Sequence, residues 1–217
     1  MTISSDLLEI DGVMRVETQS LEELQFKTME LTHTVYPHDE LYGEFCAIQS
    51  YIAVPPKDLF HYMKHIESLN EWTYSTRFYT PPNENGVYKG VDAVGGKDTP
   101  IYGKVIANEE AMTVDYHCAW DQGDELWMIY LNRIVDAQAV LGKPGSVVFW
   151  QNCHHKNYDT NPYPHLGPQD RPWVGEYWDF FYAGHTIELQ NLKAIVEHRY
   201  NKGESLISET LLIQGEA

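Results

Sequence analysis

VGEYWDFFYAGHTIELQNLKAIVEHRYNKG, residues 174–203, decides how the rest of the chain is read. Within it Trp178, Phe181, His185, Leu189, Leu192 and Val196 recur at spacings of three and four, which is one face of a helix. Phe180, Ile187, Ala194 and Ile195 widen the stripe, so the helix is covered on more than one side. Pro172 suits a first helical turn and Gly203 a left-handed C-cap. The spacing predicts a helix over 173–202, roughly 45 Å long at about 1.5 Å per residue. Such a helix needs a surface to lie on, and the preceding residues supply strands.

Those strands begin at Glu44. EFCAIQSYIAV is β-branched and aromatic and stops at Pro55-Pro56; PKDLFHYMKHI reads as a short helix and SLNEW as a further turn. RFYT, VYKGVDAV, PIYGKVIA, MTVDYHCAW, LWMIYLNRIVDA and SVVFWQNCHH follow, separated by hairpin-length turns such as Asn85-Gly86. About seven strands so connected predict one curved antiparallel sheet, an α+β fold. Residues 1–43 read as an N-terminal extension, with a weak strand at Val13–Val16 and a capped helix from Leu21 to Leu31 behind Ser20-Leu21-Glu22-Glu23. Thr32–Gly43 reads as a connector, 44–203 as the main domain and 204–217 as a tail with a short strand at Leu211–Ile213 or a disordered end. Lys156–Pro172 is a long Pro- and Asn-rich loop, the kind that is more often functional than idle.

Composition narrows the partners. A formal charge of −17 repels nucleic acid and anionic membranes, and no run is apolar enough to span a bilayer. Three cysteines without framework spacing and no export signal point to free thiols and a cytoplasmic location. With 6 Trp and 15 Tyr, the chain packs a thick core or lines a cavity for a flat, apolar ligand.

The strand, two short helices, six strands and long final helix resemble the START-related helix-grip superfamily, also called SRPBCC. The resemblance covers about residues 44–202. It is carried by YIAVPPKDLFHYMKHIESLNEW (51–72), LNRIVDA (131–137) and LQNLKAIVE (189–197). It implies a sheet wrapped around the helix with a deep cavity between them. Members include lipid carriers, plant hormone receptors, the birch-pollen allergen type and polyketide aromatase/cyclases, and fold alone does not choose among them.

Alternation along MTVDYHCAW places Met112, Val114, Tyr116, Cys118 and Trp120 on one face, taken as the inner one. SVVFWQNCHH is ambiguous, because both faces begin apolar. The ligand-binding candidates are Trp72, Cys118, Trp120, Trp127, Phe149, Phe181 and Tyr158. The catalytic candidates are Arg133, His185, Glu188 and Tyr116. Arg133 would polarise a polyketide oxygen if it points inward, as the aromatase/cyclase resemblance implies, or else pair with Asp136 on the exterior. His185 and Glu188, three apart, share a helix face and form an acid–base pair or, with His154 or His155, a two-His-one-carboxylate metal site. No HExxH or CxxC motif is present, and no cofactor is implied. Three functions remain: cyclisation, dehydration or aromatisation of an apolar or aromatic metabolite; carriage of such a ligand without reaction; or metal-dependent catalysis. A homodimer is the one protein partner foreseen.

Overall fold

The structure, a computed structural model, describes residues 5–35, 44–95, 99–208 and 211. Seven strands run antiparallel in the order β1-β7-β6-β5-β4-β3-β2. They are β1 (Phe45–Ile52), β2 (Thr76–Arg77), β3 (Tyr88–Asp92), β4 (Thr99–Asn108), β5 (Thr113–Trp120), β6 (Met128–Asp136) and β7 (Ser146–Cys153). Helices α1 (Leu21–Val35), α2 (Pro56–Met63), α3 (Leu69–Trp72), α4 (Ala137–Leu141), α5 (Lys156–Asp159) and α6 (Phe181–Lys202) complete the fold. From β2 to β7 each strand pairs with the next in sequence. β1 pairs β7 in the register Phe45↔Cys153 to Ile52↔Ser146, so the first and last strands meet.

The local chemistry of the elements is conventional. Ser20 Oγ accepts from Glu23 N–H at 3.2 Å while Glu23 Oε2 accepts from Ser20 N–H at 2.8 Å, a reciprocal cap that starts α1. Pro56 opens α2, where its missing N–H costs nothing, and Leu59, Phe60, Tyr62 and Met63 are buried. Gly203, at φ 71°, ends α6.

The final helix is shorter than its apolar stripe. Val174–Phe180 forms a 3-10 turn, and α6 proper has 22 residues, about 33 Å. Gly175 explains the turn's seat: a Cβ there would stand 1.6 Å from the Tyr158 carbonyl oxygen, so only glycine lets the turn press on α5. Asn191, midway along α6, donates to the carbonyls of Met14 (2.8 Å) and Trp72 (3.2 Å) and accepts from Met14 N–H (3.0 Å). One buried amide thereby ties the N-terminal segment and α3 to the helix. At the C-terminal end of α6, Arg199 makes a two-pronged pair with Glu71 (2.7 and 3.0 Å), and Tyr62 and Ser208 donate to the same carboxylate.

Several local expectations differ. Met14 and Val16 bond to Asn191 and the Tyr74 carbonyl from turns, not from a strand. α1 continues to Val35; residues 36–43 of the foreseen connector lie outside the described residues. Strand β2 is two residues long because Phe78, at φ 60°, leaves extended geometry. Ala137–Leu141 is a helix capped by Asp136, which accepts from Gln138 N–H at 2.9 Å. Leu211 is helical and buried, and 212–213 of the foreseen tail strand lie outside the described residues. Among the described residues no helix is long and apolar enough to cross a membrane.

Candidate functional site

The sheet and α6 do not fill the space between them. The C-terminal half of α6 packs solidly through Leu192, Ile195 and Val196, each fully buried. Its N-terminal half borders a cavity that opens on solvent. Phe181, His185 and Glu188, at i, i+4 and i+7, present one face of α6 to that cavity. Trp72, Tyr116 and Trp150 face them: Trp72 meets Trp150 edge-on at 5.5 Å and Tyr116 at 6.0 Å. Leu21, Leu24, Gln25 and Thr28 of α1 form part of the cavity wall.

His185 is held on all sides but one. Its ring stacks on Trp150 (4.8 Å, 25° between planes), meets Tyr130 edge-on at 5.2 Å and leans on Phe181 at 5.1 Å. Its Nδ1 is 3.0 Å from Glu188 Oε2. Its Nε2 is buried and has no hydrogen-bond partner among the described residues. With Nδ1–H donating to Glu188, Nε2 is left as an acceptor on a ring that lines the cavity. Glu188 also accepts from the Tyr74 backbone N–H, and burial raises its pKa against the opposing pull of His185. Gly184 makes room for this: a Cβ there would lie 2.9 Å from the Tyr74 hydroxyl.

A second carboxyl lines the same cavity. Asp92, at the end of β3, accepts from Val94 N–H (3.1 Å), from Trp120 Nε1 (3.3 Å) and from the Ser75 side chain; burial raises its pKa as well. Tyr79, 3% exposed, has a hydroxyl without a partner among the described residues, and burial holds its pKa well above the ordinary tyrosine value. It therefore stays a proton donor to hydrogen bonds across the physiological range. Neither Asp92 nor Tyr79 was singled out by sequence. Tyr79 is buried between exposed Phe78 and exposed Thr80.

The candidates named from sequence separate into three groups. Trp72, Tyr116, Cys118, Trp120, Phe181, His185 and Glu188 all line the cavity. The hydroxyl of Tyr116, however, donates to the Met63 carbonyl at 2.6 Å, so its proton is committed inside the protein. Trp127 and Tyr158 are buried but stand behind the wall. Trp127 lies 4.8 Å from Tyr158 and stacks on Trp173 at 6.0 Å, and Tyr158 packs on Phe181 at 5.4 Å. Arg133 and Phe149 are corrected outright. They are cross-strand neighbours on the outer face of β6 and β7, both exposed, because Tyr130, Asn132 and Ile134 take the inner positions of β6 and Val148, Trp150 and Asn152 those of β7. Arg133 thus belongs to its exterior alternative.

The foreseen metal ligands do not gather. His154 Nε2 pairs with Asp159 at 3.4 Å, and His155 Nδ1 accepts from Asn157 N–H at 3.1 Å to start α5. Among the described residues no group of three or more His, Cys, Asp or Glu side chains is placed to hold a metal ion. The thiols of Cys46 and Cys118 are pushed up to about 12 by burial, which leaves them protonated.

A curved antiparallel sheet gripping a long C-terminal helix is the helix-grip fold. Solved structures of the same shape include the di-domain ARO/CYC BexL from a biosynthetic pathway (TM-score 0.52, 11% identity, 73% of this chain and 48% of that one). They also include the Zhui aromatase/cyclase of a Streptomyces species (TM-score 0.50, 11% identity, 72% and 94%). A START superfamily protein from Mycobacterium smegmatis aligns at TM-score 0.45 with 17% identity, over 74% and 99%. At these identities the likeness concerns the fold. No family model and no curated protein sequence matches the chain.

Proposed function

We propose that the cavity binds a small apolar or aromatic, polyketide-like metabolite and promotes its cyclisation, dehydration or aromatisation by acid–base chemistry. The observation that carries this is the His185–Glu188 pair, on a ring that lines the cavity and whose remaining nitrogen has no partner among the described residues. His185 Nε2 takes a proton from carbon flanked by carbonyls. Glu188 holds the ring's tautomer and balances the imidazolium that forms. The Tyr79 hydroxyl donates to the oxygen on which enolate charge develops, within walls that exclude water. The enolate carbon attacks a second carbonyl of the same folded chain, and the alkoxide takes the first proton back from His185. His185 then removes the second proton from the same carbon, hydroxide leaves with that proton as water, and the C=C bond forms. Enclosure supplies much of the rate, since a floppy chain is held in one reactive pose.

Turnover of a synthetic poly-β-ketone thioester, followed by the rise of aromatic absorbance, tests the reading. Wild type should accelerate ring closure, and His185→Gln should lose roughly 10²- to 10⁴-fold, the usual contribution of a positioned base. Acceleration that survives His185→Gln refutes the assignment. The aromatic lining also favours a second reading, a carrier of the same class of ligand, which would bind the thioester without hastening closure.

A further inference from the structure

The charge inventory of the cavity is lopsided. Among the described residues no lysine or arginine lines it, while two buried carboxyls do: Asp92 from β3 and Glu188 from α6. Arg171 lies 5.1 Å over the Trp120 ring and pairs with Asp121. Arg77 is not a wall residue either and is already answered. Its Nε and Nη2 donate to Glu17 at 2.5 and 2.7 Å, and its Nη1 donates to the carbonyls of Thr73 and Thr76. The remaining wall is rich in aromatic residues, among them Trp72, Tyr74, Tyr177 and Phe181. Ring faces carry the negative end of the aromatic quadrupole and attract cations. Asp92 accepts from Val94, Trp120 and Ser75, which uses three of the roughly four acceptor positions of a carboxylate and leaves one. The net charge of −17 draws cations toward the mouth and repels anions.

We propose that the natural ligand is an aromatic metabolite bearing a basic nitrogen, its rings among the tryptophans and its ammonium taken by Asp92 and Glu188. This rests on reading the cavity as a small-molecule site and adds the charge of what enters. A carboxylate of the same size would meet two acids, an electron-rich wall and no compensating cation, so the site selects against it.

Three probes with one aromatic body and three charges test this: 2-naphthylmethylamine, 2-naphthylmethanol and 2-naphthoate, titrated calorimetrically against the full chain at pH 7.5. The amine should bind at least 10-fold more tightly than the alcohol, and the naphthoate most weakly. Asp92→Asn, which keeps the shape and an acceptor oxygen, should lower amine affinity about 10-fold and leave alcohol affinity within about 3-fold. Glu188→Gln should act in the same direction. The wild-type ranking alone decides the matter should either variant fold poorly. Naphthoate binding as well as the amine, or an amine preference untouched in both variants, overturns the proposal while leaving the cavity a ligand site. Failure of all three probes to bind overturns both readings.

Discussion

His185 and Glu188 meet at 3.0 Å one helical turn apart on α6, and the nitrogen that His185 does not spend on Glu188 is buried without a partner among the described residues. A histidine so clamped between Trp150, Tyr130 and Phe181 has few other rotamers. The carboxylate therefore selects which nitrogen carries the proton more than where the ring sits. Glu188→Gln should accordingly keep affinity for the uncharged poly-β-ketone thioester within about 3-fold and lower kcat by about 10- to 100-fold, a loss smaller than that of His185→Gln. Equal losses in kcat and in thioester affinity would mean that Glu188 acts on binding of that substrate instead.

The two buried acids make stability depend on pH in a defined sense. Folded Asp92 and Glu188 hold their protons more tightly than the unfolded chain does, because burial disfavours the charged form; the ordinary values are 3.8 and 4.5. Their contribution is complete below those values and is lost as pH rises through the raised folded ones. Asp92→Asn and Glu188→Gln cannot ionise. Each variant should gain on wild type in melting temperature as pH is raised from 3.5 to 7.5. A wild-type advantage that grows over the same range would show that the carboxylates are stabilised by the fold.

Helix α1 should govern exchange with solvent. Leu24 is 2% exposed and belongs to the cavity wall. Leu24→Ala removes a buried side chain beside a space that already exists, so the cost should fall near 2 kcal/mol, the lower end for such truncations. Dissociation of 2-naphthylmethanol should quicken several-fold in stopped-flow displacement. An unchanged rate with the same loss of stability would confine α1 to a structural role.

Much of the architecture was legible because its signals are local and periodic. The hairpin turns mark the strands, the alternation of β5 places Val114, Tyr116, Cys118 and Trp120 inside, and the stripe from Phe181 to Val196 locates the final helix. Legibility ended where both faces of a strand are apolar. On β6 and β7, exposed Ile129, Leu131 and Phe149 look as much like core as their buried neighbours Tyr130 and Trp150, so Arg133 was given an inward alternative. Asp92 and Tyr79 were hidden for other reasons. One ends a strand near a turn, where acids are ordinarily wet, and the other lies just past a two-residue strand, too short for its faces to be read. His185 and Glu188 were readable as a pair from spacing, but the partnerless Nε2 could be seen only in three dimensions.

The central claim is that the space between sheet and α6 is the binding site. Cys118, 3% exposed on the inner face of β5, lines it, and Cys118→Phe would occupy it from within. Calorimetric titration of 2-naphthylmethanol into wild type and Cys118→Phe is the most direct measurement. The account predicts one-to-one binding by wild type and at least a 10-fold loss in a variant that still melts cooperatively. Equal affinity in the two proteins would place the ligand elsewhere and contradict it.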